Sequence, residues 1–179
     1  MTFLSYAELE TCLDHVRESP RDGGTVSLIV RRPKTDEREI LDVGELDPRH
    51  GLVGDKWGHR RSENDDTALE YQITLMNSRA IAHIAQDKNR WPLAGDQFFV
   101  DFDLSEENIP AGTRLTLGAA IVEVTATPHT GCKKFAARFG TDSVKFVNSP
   151  LGKQLHLRGV NAKVVQAGTV RAGDALRKL

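Results

Sequence analysis

The feature that most constrains the fold of this chain is a repeated alternation of apolar and polar residues over short segments. Val26, Leu28 and Val30 recur at every second position, and the same period returns in segments that carry Phe98 or Val122. A period of two is the pattern of β-strands with one face turned toward a core. The predicted strands are 24–31, 39–46, 72–76, 98–102, 115–117, 120–127 and 160–164.

Helical periodicity, in contrast, is confined to a few segments between or outside these strands. A capping box at Ser5 begins a predicted helix over 6–18, and further helices follow Asn77 or Ser78 and then Cys132. They are too few and too irregularly placed for βαβ units, and the glycine motifs of Rossmann and P-loop proteins are absent. We therefore predict a mainly β protein with peripheral α-helices, built as a closed or curled antiparallel β-barrel.

The length, charge and cysteine content of the chain limit its organisation and its partners. At 179 residues it suits a single domain, with a helical extension over 1–23 and a barrel core over 24–174. Its 24 basic and 25 acidic residues argue against nucleic acid or an acidic membrane as a partner. Two cysteines fit a reducing compartment rather than a disulfide framework. Without a leader pattern or an apolar run of membrane-spanning length, the sequence predicts a soluble cytoplasmic protein.

The strongest chemical signal is a cysteine placed where a loop becomes a helix. Cys132 follows the predicted strand 120–127 and precedes three cations that have no carboxylate between them: Lys133, Lys134 and Arg138. Free backbone N–H groups and nearby cations both favour the thiolate. A thiolate in such a place can attack an electrophile, carry a persulfide sulfur or bind a soft metal. The same N–H groups and cations would also hold a phosphate.

A buried, inert thiol is an alternative interpretation of the same pattern. Cys132 shares a helix face with Phe135 and Phe139, as a small core residue would. The segment His129-Thr130-Gly131 before the thiol favours the functional interpretation, because a buried cysteine needs no such segment.

A metal site is a further alternative. Cys12 and His15 lie three residues apart on the first predicted helix, and His129 and Cys132 would complete a Cys2His2 set. No sequence spacing links the two halves, so placement of Cys12 and His15 on the surface or in the core is the competing interpretation.

A long irregular segment, 47–66, is rich in glycine and in polar side chains. Loops of this length often carry function. Val53 and Trp57 are apolar enough to fix part of the segment. The polar residues able to face a ligand are His50, Asp55, Lys56, His59, Arg60 and Arg61. A solvated loop and a binding loop both fit this composition.

Several motifs, by their order and spacing, resemble the MOSC family, which is named for the C-terminal domain of molybdenum cofactor sulfurase. The resemblance covers roughly 24–174, and Cys132 matches the single cysteine that follows a strand in this family. The other matching motifs are Gly51-Leu52-Val53-Gly54-Asp55, Gln72-Ile73-Thr74-Leu75-Met76-Asn77, Gly118 with the strand 120–127, Arg158-Gly159-Val160-Asn161-Ala162, and Gly168-Thr169-Val170-Arg171-Ala172-Gly173-Asp174.

Two segments depart from the family pattern. Many relatives have proline directly before the cysteine, where this chain has His129-Thr130-Gly131. Many carry Gly-Glu-Asn where this chain has Gly95-Asp96-Gln97.

The resemblance implies a barrel that binds the pterin form of molybdenum cofactor or passes sulfur to a partner. In relatives that reduce N-hydroxylated compounds the matching cysteine ligates molybdenum, which gives Cys132 that role, with His129 as a second catalytic candidate. We expect the loop 47–61 to lie beside Cys132 and to form one wall of a pocket with Arg158. The residues implied to bind the cofactor are Gly54, Asp55, Lys56, Thr130, Lys133, Lys134, Arg138, Arg158 and Asn161.

Two functions of different classes remain open on the sequence. A molybdenum-cofactor reductase would act on a small-molecule substrate and would need a separate electron-donor protein, because the chain has no flavin, haem or iron–sulfur motif. A carrier of cofactor or persulfide sulfur would need an exposed thiol and a sulfur-donor protein, and would not turn over a substrate.

Overall fold

The core of the molecule is a closed β-barrel. A computed structural model describes residues 2–59 and 66–179. Its strands are β1 (Gly24–Arg31), β2 (Glu39–Leu41), β3 (Val43–Asp47), β4 (Gly51–Leu52), β5 (Ile73–Asn77), β6 (Phe98–Asp101), β7 (Arg114–Leu117), β8 (Ala120–Val124), β9 (Val160–Gln166), β10 (Gly168–Arg171) and β11 (Ala175–Lys178). Seven of them form the ring in the order β11-β7-β8-β9-β5-β6-β1, which closes because β1 also pairs with β11.

The ring is mainly antiparallel, as the sequence predicts, but one neighbouring pair is parallel. Strands β5 and β6 run in the same direction, with Leu75 opposite Phe98. Parallel neighbours need a crossover connection, and here the chain between them forms the helix Ser78–Ala85 and the 3₁₀ turn Lys88–Ala94. The turn Lys88–Ala94 brings residues 92–96 to the functional region described below.

The α-helices lie outside the ring and cover part of its outer face. They are α1 (Tyr6–Glu10), α2 (Leu13–Arg17), α3 (Ser78–Ala85), α4 (Lys133–Phe139), α5 (Thr141–Asn148) and α6 (Pro150–Gln154). The remaining helical turns are the 3₁₀ segments Lys56–His59, Asp66–Tyr71 and Lys88–Ala94. Among the described residues, no helix has the length and apolar character that crossing a bilayer requires.

Alternate residues of the strands supply two separate apolar clusters. Phe98 and Val100 point into the barrel, whereas Phe99 between them packs outward under the helices. Strand β1 also contributes to both clusters, because a β-bulge between Val26 and Leu28 leaves Val26 inside and turns Leu28 outside. Strands buried on both faces read as nearly continuous apolar runs, which is why β1 ends in Leu-Ile-Val rather than in a strict alternation.

The structure also has a second sheet of three strands, in the order β10-β3-β4, which the sequence did not distinguish from the barrel. The segment predicted as one strand over 39–46 is divided: β2 pairs with β1, whereas β3 pairs with β10 and β4. The change of sheet occurs at Asp42, whose carbonyl accepts a hydrogen bond from Ala172 N (3.1 Å). The ring also closes through β11, which lies beyond the 24–174 core expected from the sequence.

The N-terminal helix predicted over 6–18 is two short helices. The capping box at Ser5 is present, with Ser5 and Glu8 exchanging hydrogen bonds. The helix ends at Glu10, and α2 begins after Cys12 without a side-chain cap. Leu9, Cys12 and Val16 are buried in the outer cluster, so packing fixes the break.

Candidate functional site

Cys132 is the N-cap residue of α4, where the predicted transition from loop to helix occurs. Two anchors hold it there. Phe135 and Phe139 are buried on the inner face of the helix, and Asn148 binds both backbone groups of Gly131, at 2.8 Å to the N–H and 3.0 Å to the carbonyl. Because these neighbours take the inner positions, Cys132 itself is exposed. The alternative of a buried thiol is therefore wrong for Cys132.

The environment of Cys132 favours its thiolate. Partial burial acts against the charged form, but the backbone N–H groups of Phe135 and Lys134 and the charges of Arg158 and Arg138 outweigh it. The pKa of the thiol is therefore lowered from its ordinary value. Helix-end N–H groups and cations are the usual causes of such a shift.

Arg158, Asp96 and His129 form a hydrogen-bonded chain of side chains close to the thiol. Arg158 Nη1 is 2.6 Å from Asp96 Oδ2, and His129 Nε2 is 2.8 Å from Asp96 Oδ1. The Arg158 guanidinium also lies over the ring of Phe135, 4.9 Å from its centroid. Gly159 permits this placement: its φ is +106°, and a Cβ there would lie 2.2 Å from the Leu75 carbonyl oxygen.

The interactions among Asp96, Arg158 and His129 determine which of these side chains are protonated. Burial alone would raise the pKa of the Asp96 carboxyl, but Arg158 and His129 hold it well below its usual range. The pKa of His129 is lowered, first by burial and then by Arg158, against the opposing pull of Asp96. His129 is thus neutral at pH 7 and Asp96 is ionised. An ionised carboxylate only accepts hydrogen bonds, so His129 Nε2 carries the proton.

Four arginines meet at one turn, where the 3₁₀ segment Lys88–Ala94 ends. Each guanidinium donates to one of four consecutive backbone carbonyls at a helix end, where such groups lack intrahelical partners, although Pro92 O also accepts from Gly95 N. The pairs are Arg38 Nε to Pro92 O (3.1 Å), Arg138 Nη1 to Leu93 O (2.8 Å), Arg158 Nη2 to Ala94 O (2.9 Å) and Arg32 Nη1 to Gly95 O (2.7 Å). We call these four residues the arginine cluster.

Carboxylates compensate this cluster unevenly. Asp55 is fully buried and holds Arg32 with both oxygens, at 2.8 and 2.9 Å. Asp96 holds Arg158, and the exposed Asp36 lies 3.0 Å from Arg138. Arg38 has no ion pair with the described residues; its hydrogen bonds go to carbonyl oxygens. The cluster therefore carries a net positive charge beside the thiol.

The structure gathers several of the predicted site residues around Cys132. Arg138 and Arg158 act directly on the thiol, and Asp96 links Arg158 to His129. Lys133 and Lys134 lie at the start of α4 with exposed side chains. The cations that shift the thiol pKa are thus the two arginines, one of which is distant in sequence.

The loop 47–61 reaches this region only at one end. Asp55 joins the arginine cluster through Arg32, and the backbone N–H of Lys56 donates to the Arg32 carbonyl at 2.8 Å. At Gly54, φ is +80° and a Cβ would lie 2.9 Å from Arg31 Nη1. The other end, where Asp47 bonds His50, lies beside β10. Arg60 and Arg61 lie outside the described residues, and of the side chain of His59 nothing is described.

A cavity of about 700 Å³ borders the segment that contains His129. Its polar lining includes three residues of the predicted site: His129, Thr130 and Asn161. Asn161 Nδ2 donates to the Thr127 carbonyl at 3.0 Å, which fixes the amide at the wall. Cys132 does not line this cavity, although His129 and Thr130, which precede it in the chain, do.

The sequence did not indicate that Arg32 and Arg38 belong to the site, and Asp96 stood out only as a departure from the family pattern. The available signal was the run Arg31-Arg32-Pro33, a pair of cations at the end of a buried strand. Their carbonyl partners have no side-chain signature, so the arginine cluster could not be predicted.

The Cys2His2 alternative does not form. Cys12 is buried in the outer cluster, and burial raises the pKa of its thiol to about 11. His15 is exposed on α2. Within residues 2–59 and 66–179, no group of three or more His, Cys, Asp or Glu side chains is placed to hold a metal ion.

Comparisons with known proteins agree with this architecture. Similar solved structures are the YuaD protein from Bacillus subtilis (16% identity, TM-score 0.60, covering 86% of this chain and 93% of that chain) and YiiM from Escherichia coli (18% identity, TM-score 0.56, covering 87% and 69%). A structure described as a hypothetical protein covers 92% of this chain and 70% of its own, at 19% identity and a TM-score of 0.59. These likenesses establish the fold. No curated protein sequence matches the chain.

The sequence itself matches a family model over more than half of its length. The model is that of the MOSC domain, and the match covers residues 67–177. It includes the parallel strand pair, the Cys132 helix and most of β11, whereas β1, its partner in closing the barrel, lies before the match. The chain therefore belongs to the MOSC domain family.

Proposed function

We propose that this MOSC domain protein binds a molybdenum–pterin cofactor through Cys132 and reduces N-hydroxylated small molecules with electrons from a separate protein. One observation carries the proposal: an exposed thiol with a lowered pKa lies beside a cluster of arginines with excess positive charge. A thiolate is a strong ligand for a soft metal, and guanidinium groups bind phosphate well.

The residues of the site fit a phosphate-bearing cofactor. Arg38 has no carboxylate partner in the described chain, which leaves N–H donors for an oxyanion. Arg158 Nε is the one buried side-chain nitrogen or oxygen of the described residues without a hydrogen-bond partner. Unsatisfied buried donors are rare and often mark a site that a ligand completes.

Each predicted binding residue has a place in this proposal. Cys132 is the metal ligand, and Arg138 and Arg158 hold its thiolate and the phosphate. Lys133 and Lys134 are exposed cations at the same helix start, available to the phosphate. Asn161 and Thr130 line the adjoining cavity and would meet the pterin only at the rim of that cavity, which leaves its interior to another ligand. Asp55 and Lys56 act through Arg32, which they position, and Gly54 lies against Arg31.

The proposed reaction converts R–NHOH to R–NH2 and water, and consumes two electrons and two protons. When bound, the cofactor supplies the metal centre through which electrons reach the substrate. The chain favours the ionised form of the Cys132 sulfur, would neutralise the anionic end of the cofactor and holds a neutral imidazole at His129.

Metal and pterin analysis of protein purified from a molybdenum-replete host tests the proposal. We expect stoichiometric molybdenum and pterin in the wild type and in the control Cys12→Ala, and a large loss of both in Cys132→Ala. Arg38→Gln should lose pterin while remaining folded, because its hydrogen bonds are replaceable and its charge is not. Wild-type protein without molybdenum or pterin would contradict the proposal.

Sulfur transfer is the second candidate, and the exposure of Cys132 favours it. In that reaction the thiolate attacks the terminal sulfur of a donor persulfide, taking one sulfur atom and releasing the donor thiolate. Mass spectrometry after incubation with a low-molecular-weight persulfide would show one added sulfur on Cys132. A carrier would show this modification without molybdenum, and a reductase would show molybdenum at the same residue.

A further inference from the structure

The cavity beside His129 has a lining that suggests its own ligand, independent of the metal proposal. Its apolar walls come from side chains of the barrel rim and α5, among them Val124, Val147 and Val160. Glu106 and Lys153 are the acid and the lysine among the lining residues, so their formal charges cancel. A cavity of about 700 Å³ with apolar walls and no net formal charge suits an uncharged small molecule.

His129 offers this cavity a hydrogen-bond acceptor. Its Nε2–H is engaged with Asp96 at 2.8 Å, which leaves a lone pair on Nδ1. Nδ1 has no hydrogen-bond partner among the described residues. It is also not among their fully buried unpaired atoms, a set that contains only Arg158 Nε. Nδ1 is therefore not fully buried, and the cavity is the space that His129 lines.

The tautomer of His129 is held by two further contacts. Asp96 is fully buried and is itself fixed by Arg158 at 2.6 Å. The ring carbon Cδ2 lies 3.3 Å from the position that a Cβ on Gly159 would occupy, so the imidazole packs on bare backbone there. The imidazole can neither flip nor exchange its proton without leaving the Asp96 carboxylate unpaired on that side.

His156 provides a second acceptor on the same cavity. Its Nδ1 lies 2.6 Å from the Leu104 carbonyl oxygen, which can only accept, so Nδ1 carries the proton. His156 Nε2 has no hydrogen-bond partner among the described residues. It is also not among their fully buried unpaired atoms, so it is accessible to a ligand. His156 also has a φ of +47°, uncommon for a residue with a side chain and typical of functional sites.

We propose that this cavity binds a neutral, largely apolar molecule that carries an N–H donor, and that His129 Nδ1 accepts its hydrogen bond. Asp96 is the positioning residue that holds the imidazole in the accepting tautomer. His156 supplies a second acceptor for a molecule with donors on two edges.

Nitrogen NMR of the histidine rings tests the first step. In full-length protein with ¹⁵N-labelled histidine near pH 8, we expect the His129 signals of a neutral ring protonated at Nε2. His129→Gln assigns those signals by removing them, and His15→Gln, on the exposed face of α2, is the matched control. A His129 ring protonated at Nδ1, or at both nitrogens, would overturn the proposal.

Benzamide and N,N-dimethylbenzamide test the second step, because they share a ring and a carbonyl and differ in the N–H donors. We expect benzamide at millimolar concentration to shift the Nδ1 signal of His129, and the dimethyl compound to leave it unchanged. His129→Gln should weaken benzamide binding roughly fivefold, the contribution of one ordinary hydrogen bond, and His15→Gln should not. Equal shifts from both compounds, or none from benzamide, would overturn the proposal. Neither result depends on bound molybdenum.

Discussion

The two cysteines of this chain occupy opposite environments. Cys12 is 5% exposed among Leu9, Val16 and other apolar residues of the outer cluster, and burial raises the pKa of its thiol to about 11. Cys132 is exposed at a helix start beside two arginines, and the pKa of its thiol is lowered. Both cysteines lie next to short helices, so local secondary structure does not separate them. The difference comes from charges that the fold brings to one of them.

Two of the charges near Cys132, those of Asp96 and Arg158, are buried, whereas the ion pair near Cys12 is on the surface. Asp96 is fully buried between Arg158 and His129. Asp14, on the helix that follows Cys12, pairs with Arg17 at 3.2 Å and is 95% exposed. A buried ion pair is costly to break because one charge remains without its partner, while an exposed pair contributes little. The two regions should therefore respond very differently to the loss of a carboxylate.

The largest effect is expected from Asp96→Ala. Removal of this carboxylate leaves the Arg158 charge buried, which costs about 3–5 kcal/mol in free energy of unfolding. The measurement is urea unfolding monitored by circular dichroism. Asp14→Ala is the control, and it should not change the unfolding midpoint. Similar midpoints for the two variants would show that the buried chain does not stabilise the fold.

The next largest effect is expected when each cysteine in turn is replaced by serine. Cys12→Ser places a hydroxyl among apolar side chains and should lower the free energy of unfolding by about 1–3 kcal/mol. Cys132→Ser, on an exposed side chain, should change it by less than about 0.5 kcal/mol. Thermal unfolding of both variants measures the contrast. A reversal of the two effects would contradict the assigned environments.

These regions also show how far the sequence could be interpreted. The alternation of apolar and polar residues located the barrel strands, because the two faces of a strand differ in apolar character regardless of which strand it pairs with. It could not divide 39–46 between two sheets, since the choice of pairing partner is non-local. It also missed β11, where Leu176 is the only buried residue.

From the residues themselves the candidate site was predictable only in its local part, and Arg158 was expected only through the family resemblance. Cys132 at a helix start followed from the residues around it, because glycine, lysine and a helical face are local signals. The cations that lower its pKa include Arg158, 26 positions away in the sequence, held by Asp96 from the turn between β5 and β6. Lys133 and Lys134 were expected beside the thiol as neighbours in sequence, but a helix directs successive side chains to different sides.

The smallest effect is a pH dependence of stability centred on His129. Its folded pKa is lowered below the unfolded value of about 6.5, so the unfolded chain takes up the proton first. Stability is thus fully present above about pH 6.5 and is lost as the pH falls through that value toward the folded pKa. Asp96, whose folded pKa is also lowered, adds a further loss at lower pH, where the unfolded carboxyl binds its proton.

The measurement is the difference in unfolding midpoint between the wild type and His129→Gln across the range from about pH 5 to 8. We expect the wild type to lose more stability on acidification than the variant, because the variant has no imidazole to protonate. Parallel curves for the two proteins would show that His129 is not held neutral by the fold.

The most direct test of the account is the rate of Cys132 alkylation by iodoacetamide as a function of pH, measured in a Cys12→Ala background. We expect reaction in the folded protein with an inflection below the free-cysteine pKa of about 8.5, and a rise of that inflection in Arg138→Gln. In the reciprocal variant, Cys132→Ala, Cys12 should react only on unfolding. An inflection for Cys132 at or above the free-cysteine value, or no reaction until the protein unfolds, would contradict the central claim.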